Sequence, residues 1–273
     1  MLLTRIITAA VLLPLVIGAI FFFPPVAVAL LLAAFLLVGA WEWGGLLQLP
    51  AAWRGLYGLL AAAVLALLWW QMDAVPVVQA VLWAGVLWWV YAVVLVIRFP
   101  RGWDVGVGLR PVAGLVGLVI LAAAFVAVLG VHGLPRGAEW LLLLFLLIWA
   151  ADTGAYFAGH AYGARKLAPK VSPGKTLEGA AGGLVACVLI ALVAAWWFAL
   201  NPMQTVGLVL LSLFIAPVSV IGDLTESMFK RQAGIKDSGQ IFPGHGGVLD
   251  RLDSLLAAAP FYLLGLEFMG VAG

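Results

Sequence analysis

The chain has 273 residues, a hydrophobic fraction of 66% and a charged fraction of 10%. A soluble domain carries about 25% charged residues, so this composition excludes an ordinary soluble protein and makes spans of about 20 apolar residues the unit of the reading. The formal net charge of +2 is too small to point to nucleic acid, and the single Cys187 excludes an intrachain disulfide or a thiolate metal cluster.

Nine apolar runs follow in chain order, at about 5–23, 26–43, 54–70, 76–97, 112–131, 140–158, 178–199, 203–222 and 254–270. They are continuous rather than alternating, and helices satisfy their own backbone in lipid. The expected fold class is therefore all-α, a polytopic membrane protein with about nine transmembrane helices. Residues 1–135 form N-terminal transmembrane helices, and 136–273 form a C-terminal region that carries the polar motifs. Arg5 before an apolar run imitates a signal peptide. The cleavage-like Ala27-Val28-Ala29 lies inside the next run, so the first helix is read as uncleaved. Pro24 and Pro25 separate the first two spans. Trp41, Trp43, Trp53, Trp69 and Trp70 near span ends read as interfacial anchors. The pairs Gly159/Gly163 and Gly179/Gly183 read as points of close helix approach, and Cys187 as a small packing residue. His132 and His160 are isolated near span ends and read as interfacial.

Threading nine spans places thirteen of the 14 lysines and arginines on one side: Arg5, Arg54, Arg98, Arg101, Arg110, Arg165, Lys166, Lys170, Lys175, Lys230, Arg231, Lys236 and Arg251. Arg136 alone falls on the other. Cytoplasmic loops carry the excess of positive charge. The N-terminus and the loops 159–177 and 223–253 are expected in the cytoplasm, and the C-terminus outside.

Four polar constellations stand out. Asp152 lies well inside span six, where a central Asp costs roughly 2.5–3.5 kcal/mol. It either bonds to neighbouring helices or faces a polar cavity. Next comes Lys170-Val171-Ser172-Pro173-Gly174-Lys175-Thr176. Gly174-Lys175-Thr176 matches the end of a P-loop, but Pro169 stands where that motif needs its first glycine, and no strand is expected before it. Ser172-Pro173 instead reads as N-cap and first residue of helix seven, and a helix N-terminus flanked by Lys170 and Lys175 suits a phosphate. If helix eight continues past the membrane surface, Asp223, Glu226, Ser227 and Lys230 share one face. That face is a carboxylate, hydroxyl and ammonium cluster, or else a solvated helix end. Pro217 just before it either loosens the helix or is a packing feature. The last constellation is Phe242-Pro243-Gly244-His245-Gly246-Gly247-Val248-Leu249-Asp250-Arg251-Leu252-Asp253. Its glycines let backbone N–H groups approach a phosphate. Asp250 and Asp253 sit one turn apart at the start of span nine, where an Asp can also serve as a cap. Carboxylates without a His/Cys cluster favour a hard ion such as Mg²⁺ over zinc.

The 27 residues from Ser227 to Asp253, with Lys230-Arg231, Lys236-Asp237, Gly239, Phe242-Pro243, His245-Gly246-Gly247, Asp250-Arg251 and Asp253 at fixed spacing, resemble the signature of phosphatidate cytidylyltransferases, the CDP-diacylglycerol synthases. The segments around Asp152 and Lys170–Glu178 resemble that family too, whereas residues up to about 135 do so only in apolar pattern. The resemblance implies a multi-pass enzyme of the bacterial cytoplasmic (inner) membrane, in phospholipid biosynthesis. Its substrates are CTP and phosphatidate, and its products CDP-diacylglycerol and pyrophosphate. It further implies Mg²⁺ held by an Asp pair, onto which Asp223 and Asp250 map, a nearby monovalent ion such as K⁺, contact with membrane lipid, and a homodimer.

The residues suit that chemistry. A lipid phosphate is largely a dianion at neutral pH and needs no strong base; two anions must be brought together and the leaving charge neutralised. Asp223, Asp250, Lys230 and Arg231 are assigned to catalysis. Ser172, Lys175, Thr176, Lys236, His245, Gly246, Gly247 and Arg251 are assigned to substrate binding, and Asp152, Glu226, Asp237 and Asp253 to orienting their neighbours. The alternatives are an anion transporter, which should show paired interruptions in two halves, and a CTP-dependent polyprenol kinase. An enzyme joining a CDP-alcohol to a second alcohol is disfavoured because its Asp-Gly-x₂-Ala-Arg pattern is absent.

Overall fold

The computed structural model describes residues 14–100, 109–241 and 246–271. Among the described residues, nine helical segments overlap the nine apolar runs. They are α1 (14–22), α2 (Pro25–Leu46), α3 (Ala51–Trp70), α4 (Val75–Arg98), α5 (Arg110–His132), α6 (Gly137–Tyr162), α7 (Leu177–Trp197), α8 (Pro202–Gln232) and α9 (Leu249–Phe268). Among the described residues, the seven helices α2–α8 are long and apolar enough to cross a membrane. The charges of Asp250, Arg251 and Asp253 leave α9 with a shorter apolar stretch.

Prolines set where helices start. Pro25, Pro76, Pro111 and Pro202 occupy the first or second position of α2, α4, α5 and α8, where the missing N–H has no helical partner to lose. Asn201 and Gln204 add a reciprocal capping box to α8. That helix runs on through Pro217 to Gln232, ten residues beyond the expected span end at 222. It stops at Gly234, whose φ of 72° is the left-handed conformation that closes a helix, with Ile235 N–H donating back to Lys230 O.

The inner helices are α5 and α9. The membrane-length stretch of α5 is 67% buried, against 22% for α3. In α9, residues 254–260 are all buried. The outward faces carry Leu59, Trp70, Ile97 and Trp196, as a lipid-facing surface should. The α6–α7 pair is the closest packed. A Cβ at Gly179 or Gly183 would meet the carbonyls of Ala155 and Ala151, so the expected role of these glycines in close approach holds. Buried Cys187 donates from Sγ to Leu147 O (3.3 Å), a packing role as expected.

Three expectations need correction. A strand, Lys166–Ala168, does precede Gly174-Lys175-Thr176, although it turns back in a hairpin instead of feeding a P-loop. Ser172 and Pro173 do not open helix seven. A two-stranded antiparallel hairpin, β1 (Lys166–Ala168) and β2 (Ser172–Thr176), precedes it, with Lys166 opposite Thr176 and Ala168 opposite Ser172. A two-stranded ribbon leaves one edge of each strand open, which tolerates Pro173. The N-cap of α7 is Thr176, whose Oγ1 accepts from Gly179 N–H (3.1 Å). Nor is Trp43 an interfacial anchor. It is buried, donates from Nε1 to Ala113 O (3.0 Å), and lies 4.8 Å from the Phe229 ring. Trp41, Trp53, Trp69 and Trp70 are exposed as expected.

Candidate active site

The extension of α8 beyond residue 222 makes the site. It carries Asp223, Glu226, Ser227 and Lys230 along one side. Gly222 lets α9 approach closely, because a Cβ there would strike the Asp253 carbonyl. The hairpin before α7 supplies Lys175, and α9, which begins at Leu249, brings Asp250 in.

Two carboxylate–ammonium pairs result. Lys175 Nζ lies 2.6 Å from Asp223 Oδ2, and Ser227 Oγ donates to Asp223 Oδ1 at 3.1 Å. Lys230 Nζ donates to Asp250 Oδ1 at 2.5 Å and lies 3.4 Å from Glu226 Oε1. Asp250 Oδ2 also accepts from Ser238 N–H (2.9 Å), Ser238 Oγ (3.0 Å) and Gly247 N–H (2.8 Å). Burial works against the Asp250 charge, but Lys230 and the N–H groups of Gly247 and Ser238 outweigh it and hold the carboxyl below its ordinary range.

The other candidates fall around these pairs. Asp152 is exposed on α6 and feels the charges of Lys175, Asp223 and Arg251, so it belongs to the polar side of its helix. Glu226 is buried, and Asp253, one turn into α9, feels Asp223, Glu226 and Lys230. Between α8, α9 and α2 a cavity of about 10 Å³, lined by Thr225, Glu226 and Asp253 among others, has room for about one water. Arg231, Lys236, Asp237 and Arg251 are exposed. Thr176 is buried as a cap, and Ser172 lies in β2. Gly246 adopts φ 81°, and a side chain there would collide with Asp250 Oδ2. His245 lies outside the described residues, as do Arg5, Arg101 and Phe242–Gly244.

One participant escaped the sequence reading. Glu42, four residues before the C-terminal end of α2, is 4% exposed. Its Oε1 accepts from Val248 N–H (3.0 Å), and its Oε2 from Leu249 N–H (2.8 Å) and Ser238 Oγ (3.0 Å). The available signal was an ionisable residue inside an apolar run, the same signal that singled out Asp152.

The donor chemistry fits a hard divalent ion. Asp223 and Asp250 offer only carboxylate oxygens, and both already draw cationic groups to 2.5–2.6 Å. Among the described residues no group of three or more His, Cys, Asp or Glu forms a closed metal cage. Mg²⁺ commonly takes one or two carboxylates, which a pair of Asp side chains can supply, and completes its shell with water and substrate phosphates.

The sequence pattern of the Cytidylyltransferase family matches residues 3–269. The chain is 40% identical over 281 aligned residues to a phosphatidate cytidylyltransferase of Haemophilus influenzae, covering 96% of this chain and 97% of that protein. It is 43% identical over 264 residues to the phosphatidate cytidylyltransferase of Pseudomonas aeruginosa, covering 96% of each. A Bacillus subtilis protein of the same name is 43% identical over 162 residues, covering 55% of this chain and 59% of that protein. The similarity thus extends through the N-terminal half, beyond the apolar pattern visible in the sequence by itself.

Proposed function

This chain belongs to the cytidylyltransferase family, and on that footing we propose that it transfers CMP from CTP to phosphatidate in the membrane, giving CDP-diacylglycerol and pyrophosphate. The observation that carries the reading is the pairing of Lys175, from the hairpin, with Asp223 of α8, and of Lys230, from α8, with Asp250 at the start of α9.

A phosphate oxygen of phosphatidate attacks the α-phosphorus of CTP. The new P–O bond forms as the bond to the β-phosphate breaks, and pyrophosphate leaves with the electron pair. The lipid phosphate arrives largely as a dianion, so no residue need act as a strong base. Exposed Arg231, Lys236 and Arg251 and half-buried Lys175 supply the positive field that draws two anions together. Lys230 is buried and committed to Asp250 and Glu226, so its part is to fix the Asp250 carboxylate. Asp223 and Asp250 would hold Mg²⁺. When bound, that ion neutralises charge on phosphate oxygens. A monovalent ion and a homodimer belong to the same proposal. The one-sided distribution of lysine and arginine supports a cytoplasmic site in the bacterial inner membrane.

The test is purified protein with labelled CTP, phosphatidate and Mg²⁺, followed by analysis of the lipid fraction. Label from the α-phosphate should enter the lipid, released pyrophosphate should match it, and a chelator should stop both. Release of CDP with a phosphorylated alcohol would instead select a kinase. Uptake of an anion into liposomes without chemistry would select a transporter.

A further inference from the structure

Glu42 is a charged side chain of the N-terminal half that bonds directly to the segment holding Asp250. A buried carboxylate loses several kcal/mol of hydration unless its oxygens are well bonded. Here the Val248 and Leu249 N–H groups compensate, joined by the Ser238 hydroxyl, which Glu42 shares with Asp250. The fit leaves no spare room. A Cβ on either Gly239 or Gly247 would overlap the carboxylate, so both glycines are required by Glu42. Its helix is held in rotation by the neighbouring Trp43, bonded to Ala113 O and packed on Phe229 of α8.

Capping alone does not call for this arrangement. The first N–H groups of α7 and α8 are satisfied by local neutral side chains, Thr176 and Asn201. The start of α9 is capped by a charge 206 residues away in sequence from Val248. Ser238 shows what the charge is attached to. Its hydroxyl lies 3.0 Å from both Glu42 Oε2 and Asp250 Oδ2, while its N–H donates to Asp250. One hydroxyl proton serves one carboxylate at a time. Ser238 is therefore a coupling between the two.

We infer that Glu42 is a positioning residue for the transfer reaction: through Ser238 and the N–H groups opening α9, it fixes the orientation of the Asp250 carboxylate. The inference rests on the proposal that Asp250 serves CMP transfer.

The experiment compares wild type, Glu42→Gln, Ser238→Ala and the double variant, each full-length and purified. Steady-state kinetics, thermal unfolding and hydrogen–deuterium exchange over residues 246–252 are read together. Glu42→Gln should lower kcat about 10- to 100-fold, the effect of a slightly misplaced group, with KM for both substrates within about twofold. The amides of Val248 and Leu249 should exchange faster in that variant. Ser238→Ala should lower kcat less, and the double variant should be little worse than Glu42→Gln, because both act through one carboxylate. A lower unfolding temperature with wild-type kcat would make Glu42 a helix cap only and overturn the inference. Should Glu42→Gln not fold, Ser238→Ala decides: wild-type kcat there overturns it equally. Absence of CMP transfer in the wild type overturns the functional reading and this inference with it. Activity in the wild type with unchanged kcat in the variants overturns the inference alone.

Discussion

The two carboxylate–ammonium pairs of the site are built to different standards. In the Lys175–Asp223 pair the side chains are 23% and 33% exposed, and Ser227 is the other partner of Asp223. In the Lys230–Asp250 pair they are 10% and 7% exposed, and Asp250 also accepts from Ser238 and Gly247. A partly exposed pair contributes about 0–1 kcal/mol and exchanges partners readily. A buried one costs roughly 3–5 kcal/mol to break from one side. The first pair can therefore open toward an arriving phosphate or ion, whereas the second is set by the fold and presents a fixed carboxylate edge.

The sharpest way to break this comparison is to neutralise each carboxylate. Asp223→Asn and Asp250→Asn should both lower CMP transfer by at least about 10²–10³-fold, the effect of losing a charge-stabilising group at the reacting centre. They should part company in stability. Asp250→Asn removes the shortest partner of the buried Lys230 ammonium, leaving Glu226 at 3.4 Å and the more distant Asp253, and should cost roughly 3 kcal/mol, the low end for a broken buried pair. Asp223→Asn should change stability by less than about 1 kcal/mol. Thermal unfolding in one detergent measures the difference, and equal destabilisation of the two variants would refute it. The double variant should transfer CMP little worse than either single one if the carboxylates act as a unit.

A smaller effect is expected at the exchanging cation. Lys175→Ala should lower kcat/KM by about 10- to 100-fold, the worth of one charge-assisted hydrogen bond, with thermal unfolding unchanged. Wild-type kinetics in an intact Lys175→Ala protein would reduce the hairpin to a connection between α6 and α7.

How much of this was legible in the sequence differs between the same two regions. The helices were, because a run of about 20 apolar residues has few alternatives in lipid. The shared face of Asp223, Glu226, Ser227 and Lys230 followed from helical spacing once α8 was allowed to continue. The hairpin was not legible. Ser172-Pro173 satisfies the local rules for a helix start, and only pairing of Lys166 with Thr176 and of Ala168 with Ser172 moves that start to Thr176. Glu42 was missed for a related reason. Its neighbours Trp41 and Trp43 imitate an interfacial belt, and its three partners lie about 200 residues away in sequence. Local patterns disclosed what local physics decides, and long-range bonds stayed hidden until the helices were packed.

The last test asks which pair an outside reagent can reach, and from which side. Cys187 is fully buried in α7, so a membrane-impermeant maleimide should leave the wild type unlabelled. Lys175→Cys and Lys230→Cys then place one thiol at each pair. In inside-out vesicles Lys175→Cys should label readily, because that position is partly exposed and the positive-charge excess puts its loop on the cytoplasmic side. Lys230→Cys should label far more slowly, since its side chain is enclosed by Glu226 and Asp250. Right-side-out vesicles should label neither. Equal labelling of the two positions would show that the buried pair opens as freely as the exposed one. Labelling of Lys175→Cys from the outer face would reverse the orientation while leaving the contrast between the pairs in place.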